Sequence, residues 1–554
     1  MRRALVLLLL GLAGGTRADD LDALAREFWA WRSATQPSSF DDIPRLERPS
    51  GWTPDWSAAA IADRRRRLEE FERRLAGLDA AGPVARQVDR RLMASALSRV
   101  RWELDVLRGW RRDPSFYLAQ TLGALVECLL PPTPFDAARS AAVVRLLHGF
   151  PPTLSAAETN LDQAAAPFAR LAIADLRAIV PRLQEATDHL KPRLDPAQAE
   201  PLDAATREAG VALHLYRSWL ERRVGDMPAD TAIGRDAYGF FLKKVALLPY
   251  APEQLLAMGR QEWQRSVAFE ALERQRNVGL PELPVFADQA TQVARAARDE
   301  LAIRRFLAEK DLLTVPASLA HYGYRPVPDY LAPLAGFGEW TEFTSPDRLD
   351  EDSTRYIPQP SRELGYFALS MAQDPRADMV HEGIPGHYFQ LALAWSHADA
   401  LRRHYYDSGP NEGIGFYCEE MMLQAGLFDD SPRTREMLYS YMRLRALRVE
   451  VDVKLALGDF TIEQAADYLR QAVPMDAGTA RQEAANFAAT PGQAITYQIG
   501  KLQILGFLAD ARRLQGEAFR LRSFHDFLFR NGNVPIALQR WEYLGLEDQV
   551  DALD

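Results

Sequence analysis

A mainly α-helical fold is predicted by three features of this sequence. Long segments repeat apolar residues at helical spacing, with charge on the opposite faces. Pro and Gly punctuate these segments as stops and starts. One stretch, 314–373, breaks the pattern with short Tyr-, Thr- and Phe-rich runs of strand type. The 554 residues are 47% hydrophobic and 26% charged, enough for a sizeable core. No long Gly/Ser linker, low-complexity tract or repeat divides the chain. One large helical body is therefore expected, in two lobes of about residues 19–233 and 234–554.

The chain opens on a basic start, Arg2-Arg3, and an apolar run, Ala4 to Ala13, too short to span a bilayer. Thr16 and Ala18 are small enough for a signal-peptidase site, so residues 1–18 read as a cleaved export signal. No Cys stands near the junction, which argues against a lipid anchor. Cleavage removes Arg2, Arg3 and Arg17 and no acid, leaving a net charge near −13. That balance disfavours nucleic acid or an anionic membrane as partner. The run Arg64 to Arg67 is followed by Glu69, Glu70 and Glu72 and reads as a solvated helix face.

Helices are then predicted in order over Asp20 to Ala34, Ala58 to Leu78, Pro83 to Trp110, Asp136 to His148, Ala157 to Leu190, Pro196 to Val224, Pro252 to Asn277 and Pro284 to Glu309. Cys128 and Cys418 lie in apolar helical surroundings without C-x-x-C spacing and are expected as free thiols. In 314–373, Trp340 to Thr344 and Tyr366 to Leu369 are predicted as short strands.

The chemistry concentrates just beyond. His381-Glu382-Gly383-Ile384-Pro385-Gly386-His387 places a carboxylate beside one imidazole and a second imidazole six residues on. Two imidazoles can share a zinc ion, and Glu382 can serve as general base toward a metal-bound water. The familiar H-E-x-x-H spacing puts both histidines on one helix face. At i and i+6 they stand about 120° apart on an ideal helix. They meet only if the helix is distorted between them, which Gly383, Pro385 and Gly386 permit. A catalytic zinc takes a third protein ligand. Glu412 and Glu419 both lie on a following helix that Asn411 is expected to cap. The one that is not a ligand can orient an imidazole. Gln493, Tyr497 and Lys501 at i, i+4 and i+8 are expected on one helix face. Arg443, Arg445 and Arg448 are candidates for gripping a carboxylate or for salt bridging along their helix.

Four ordered segments resemble a bacterial family known as domain of unknown function 885. They are His381 to Gln390; Asn411 to Glu419, similar to its E-G-W-A-L-Y-x-E; Pro491 to Gly500, similar to P-G-Q-A-x-S-Y-x-I-G; and Ser523 to Asp526 with Gly532 to Pro535, similar to F-H-D…G-x-V-P. Ile414, Tyr388, Ala456 and Asn486 depart from its pattern. Members look like helical metallopeptidases of the class of angiotensin-converting enzyme and carboxypeptidase Taq. The resemblance implies a bilobed helical fold with a central cleft and a small β element before the metal-binding helix. It places Glu412 as the third ligand beside His381 and His387, with Glu419 the alternative. It implies one zinc ion, with manganese or cobalt also open, and Tyr497 as oxyanion donor. His525, Tyr388 and Lys501 are further catalytic or substrate-binding candidates, and Tyr366 a substitute for Tyr497. Gly365 to Ser370 is expected as a strand pairing with substrate. The implied activity is hydrolysis of short peptides, in the periplasm rather than fully secreted. The competing readings are a non-catalytic periplasmic binding or scaffold protein and a metal-dependent amidase or esterase acting on a non-peptide metabolite.

Overall fold

The computed structural model describes residues 13–39, 47–79, 81–132, 134–338 and 340–554, with side chains from residue 20 onward. The expected export signal falls partly on residues 1–12, outside the described residues, and partly on the start of the helix Ala13–Thr35. Among the described residues the architecture is mainly helical, with one three-stranded sheet. No helix among the described residues is long and apolar enough to cross a membrane.

Where one apolar face and clear caps coincide, prediction and structure agree. Ser57 Oγ accepts from Ala60 N at the start of Ala58–Gly77, and Asp136 Oδ1 accepts from Arg139 N before Ala137–His148. Three predicted helices differ. The helix expected to Trp110 runs as Val84–Arg101, opens into a π-helical turn at Trp102–Val106, and stops at left-handed Arg108. The span 157–190 is the end of Phe150–Asn160 followed by Ala166–Leu176 and Ile179–Leu190, because Pro167 starts a new helix. The helix expected from Pro284 begins at Gln289, where Asp288 Oδ1 accepts from Thr291 N at 2.7 Å.

The sheet lies where strand composition was found. β1 (Tyr322–Pro326) pairs in parallel with β3 (Ser353–Ile357), and β2 (Thr341–Glu342) pairs antiparallel on the other side of β3. The strand expected at Gly365 to Ser370 is instead the helix Tyr366–Met371. Its Ala, Leu and Met favour helix, and a turn brings the adjacent rings of Tyr366 and Phe367 both onto Tyr441, at 5.6 and 5.8 Å. An isolated aromatic pair reads as β, but here packing decides.

Among the described residues, four apolar clusters form the core. The largest joins the N-terminal helices to residues 330–356, 401–405 and 534–553, so the chain returns to it several times. The second surrounds the His381–Glu412 region. Two helix contacts set its geometry. Ser408–Ala425 crosses Thr496–Gln515 at Gly413 and Gly500, where an added Cβ would come within 2.7 and 2.6 Å of the opposite glycine. Pro252–Arg276 packs along Pro432–Leu457 at Gly259, whose Cβ would meet Val449 at 2.9 Å. This second contact also buries acids. Glu270 pairs with Arg443 at 3.1 Å and Glu273 with Arg435 at 2.8 Å. Charged positions at an inner face hide this contact from a hydrophobicity pattern.

Candidate metal centre

His381 sits in the π-helical turn Met379–Gly383, and His387 opens the helix His387–Trp395. The segment between them is a full break: Ile384 is extended and Gly386 is non-helical. The break swings the two imidazoles together, with ring centroids 4.6 Å apart. Both glycines are needed for close approach. A Cβ on Gly386 would lie 1.7 Å from the His381 carbonyl oxygen, and one on Gly383 would lie 2.6 Å from the Tyr322 ring.

Glu412 completes the cluster. Its Oε2 is 3.3 Å from His381 Nε2 and 3.3 Å from His387 Nε2. Ligand atoms about 2.0–2.2 Å from a tetrahedral zinc lie about 3.3–3.6 Å apart. Two imidazoles and a carboxylate are also the right donor types, so these residues fit such an ion. His387 Nδ1 is buried without a hydrogen-bond partner among the described residues. Gly415, one turn past Glu412, leaves room for both rings: a Cβ there would lie 2.8 Å from His387 Cε1 and 3.0 Å from His381 Cε1. His381, Glu382 and His387 also offer ligand atoms all within 4.8 Å of one another. Of these three, Glu382 alone is half-buried rather than buried.

The two glutamates take opposite sides of one ring. Glu419 Oε1 is 2.7 Å from His381 Nδ1, while Glu412 faces Nε2. Glu419 is therefore placed to orient the imidazole. Arg445 pairs with the same Glu419 oxygen at 2.7 Å. Burial works to lower the His381 pKa, but hydrogen bonds to Glu412 and Glu419 outweigh it and push it up to about 9.

Tyr497 is buried, its ring stacked 6.0 Å from His381 at 13° and covered by Arg448 at 4.5 Å. Its helix begins at Thr496, so Gln493 lies in the preceding turn and does not share the helix face. Asn411 likewise is not the cap of its helix. Asp407 accepts from Gly409 N, while Asn411 sits inside the helix and donates to Gln390 Oε1 at 2.9 Å.

The remaining candidates lie elsewhere. Lys501 Nζ bonds Glu420 at 2.7 Å and Glu262 at 3.3 Å, in a buried ion network. His525 is fully buried and both ring nitrogens are engaged, Nδ1 with the Leu312 carbonyl at 2.6 Å and Nε2 with the Tyr417 hydroxyl at 2.8 Å. The Tyr388 hydroxyl is buried near the Tyr322 ring of β1, with no hydrogen-bond partner among the described residues. Tyr366 bonds Ser440 Oγ at 2.7 Å. Arg443, Arg445 and Arg448 each pair with an acid on another helix, not along their own. Cys128 and Cys418 are free thiols.

Sequence reasoning missed Gly415 and the anchor behind the histidines. The signal for the first was present, since Gly413 and Gly415 inside a helix each cost about 1 kcal/mol unless close packing requires them. The anchor is Asp378, one turn before His381. Its carboxylate accepts from Tyr324 of β1 at 2.6 Å and lies 3.4 Å from Arg355 of β3. The sheet thereby fixes the turn that carries His381.

A cavity of about 510 Å³ lies on the N-terminal side of the Glu412 helix, and none of the proposed metal ligands lines it. Trp102, Phe168 and Phe241 line it on one side, Asn486 and Gln493 on another. Ser408, one helical turn before Glu412, also borders it.

Two solved structures share the fold, each named a "putative lipoprotein". The one from Shewanella oneidensis, further described as of unknown function, has a TM-score of 0.70 at 17% identity, over 95% of this chain and 98% of that one. The one from Colwellia psychrerythraea has a TM-score of 0.71 at 16% identity, over 96% and 98%. No curated protein matches the chain. A family model described as bacterial protein of unknown function, DUF885, matches residues 46–541. The chain belongs to this bacterial family, DUF885.

Proposed function

We propose that this chain is an exported zinc-dependent hydrolase that cleaves peptide bonds in short peptides. One observation carries the reading: two imidazole Nε2 atoms converge on a single Glu412 oxygen at 3.3 Å each. A divalent ion held by His381, His387 and Glu412 would supply a Lewis acid beside the scissile carbonyl. Glu382, the more accessible acid, accepts the proton of the attacking water and returns it to the leaving amine. Tyr497, stacked on His381, donates its hydroxyl hydrogen to the developing oxyanion. The cavity bordered by Ser408, four residues before Glu412, offers aromatic surface for side chains and side-chain amides for backbone groups of a peptide. Export is supported by the basic, then apolar N-terminus, and agrees with the names of the two structural neighbours.

Metal analysis of the purified protein, joined to a peptide-library digest read by mass spectrometry, tests this. About one zinc per chain is expected. Glu382→Gln should keep the metal and lose about 10²–10⁴-fold in hydrolysis. Near-normal turnover in that variant, or a metal-free active protein, overturns the mechanism.

A further inference from the structure

Behind His381 lies a second layer that the proposed reaction does not itself use. Glu419 is fully buried, and its Oε1 meets both His381 Nδ1 and Arg445 Nη2 at 2.7 Å. Arg445 is itself buried. The rings of Tyr441, Phe416 and Tyr497 surround its guanidinium at 5.1, 5.2 and 5.6 Å. Its Nε and Nη1 find no hydrogen-bond partner among the described residues. A guanidinium buried in an aromatic cage is costly unless a carboxylate holds it. Arg445 Nη2 meets the Glu419 oxygen that faces the imidazole at 2.7 Å and lies farther, at 3.5 Å, from His381 Nδ1 itself.

We infer that Arg445 is a positioning residue for the metal: it pins the Glu419 carboxylate, which in turn fixes the rotation of the His381 ring so that Nε2 points at Glu412. Glu419 alone has rotatable bonds that let its carboxylate swing. The arginine, wedged between rings on a neighbouring helix, removes that freedom. The imidazole then enters the site pre-oriented, and the ion need not order it. This rests on the metal reading above. It adds a residue that touches neither ion nor substrate.

The test is a double-mutant cycle with zinc affinity as the readout, measured by chelator competition on the full chain. Thermal unfolding is followed beside it. Arg445→Met in the wild-type background should weaken zinc binding about 10-fold, the lower end for loss of an outer partner. In a Glu419→Gln background, where the carboxylate is already gone, the same change should have little further effect. Arg445→Lys, which can keep a single charged contact to Oε1, should recover most of the affinity. If Arg445→Met does not fold, the cycle is closed with Arg445→Gln on the same criterion. Unchanged affinity in the single variant overturns the inference, as does an equal loss in both backgrounds, the mark of a merely structural core residue. A wild-type protein that takes up no zinc strikes instead at the metal reading, so the two failures are told apart.

Discussion

Of the three buried acids on the helix Ser408–Ala425, Glu412 and Glu420 stand about two turns apart, and the chain treats them differently. Glu420 is met by fixed cations, Lys501 at 2.7 Å and Arg265 at 2.7 Å. Burial works to raise its pKa, but these two cations outweigh it and hold it below the usual carboxylate range. Glu412 Oε2 is met by two imidazole nitrogens. An imidazole is a cation only when protonated and a metal ligand only when not. A Lys–Glu–Arg set has its charge built in, so it serves stability. A His–His–Glu set can take its charge from a proton or from an ion, so it can serve chemistry. The difference lies in the partner's pKa, not in the depth of burial.

The largest expected effect breaks this comparison at the metal. Removal of Glu412, His381 or His387 as alanine variants should abolish stoichiometric zinc uptake. Glu420→Ala should leave the zinc in place, as should any other change confined to the Lys501 network. Metal analysis after dialysis reads both. Loss of zinc in Glu420→Ala with retention in Glu412→Ala would reverse the roles assigned to the two acids.

The second effect is on stability. Lys501→Met leaves Glu420 and Glu262 in the core with Arg265 as their cation, beside the Gln498 amide on Glu262, and Arg265 is partly exposed. Removing one partner of a buried ion pair costs about 3–5 kcal/mol. Denaturant unfolding should show a loss of that size, with zinc affinity per folded molecule unchanged. A drop in affinity at equal folding would tie Lys501 to the metal site after all.

Much of this contrast was legible in the sequence and part of it was not. The histidines, Glu382 and the need for a break at Gly383, Pro385 and Gly386 follow from spacing alone, because 3.6 residues per turn leaves i and i+6 on different faces. The position of Glu412 needed its resemblance to a known pattern. What spacing could not give is partner identity across helices. Lys501 is an open candidate in the sequence, and only the packing of three helices shows that Glu262 and Glu420 claim it. Asn411 reads as a cap, yet Asp407, four residues earlier, takes that role and Asn411 turns to Gln390. The predicted strand at Gly365 to Ser370 failed because two adjacent aromatics carry no period, and Tyr441 settles their conformation.

A third test sharpens the metal side. Gly415→Ala should raise helix propensity by about 1 kcal/mol but place a methyl 2.8–3.0 Å from the two imidazoles. Overpacking of this kind costs about 1–3 kcal/mol, so the fold should survive with a small net loss. Zinc affinity should fall at least about 10-fold, as expected when ligand orientation is disturbed. Unchanged affinity in a folded Gly415→Ala protein would mean that the rings do not rely on this gap.

The smallest effect comes from another buried acid, Asp452, met by dipoles instead of cations or imidazoles. Asp452 accepts from Gly492 N at 2.9 Å, Ala494 N at 2.8 Å and the Tyr238 hydroxyl at 2.9 Å, so it pins the turn that leads to Tyr497. Burial raises its pKa more than these donors lower it, and it rises to about 7. Its unfolded value is about 3.9. Between these values the folded protein holds a proton that the unfolded chain releases, so stability falls as pH rises through this window and levels off above about 7. From pH 6 to pH 8 the loss is on the order of 1 kcal/mol. Glu420 has the opposite sign: its lowered pKa gives stability above the unfolded value that fades only as pH falls through the folded one. Urea unfolding at pH 6 and pH 8 on wild type and Asp452→Asn isolates the first effect, because Asn does not titrate. The wild type should lose stability over this interval, and the Asn variant should show that loss reduced by about 1 kcal/mol, whatever its absolute stability. Identical pH slopes in the two proteins would show that the Asp452 carboxylate is already charged at pH 6. Hydrogen-bond donors would then hold a buried acid as firmly as the lysine and arginine around Glu420 do.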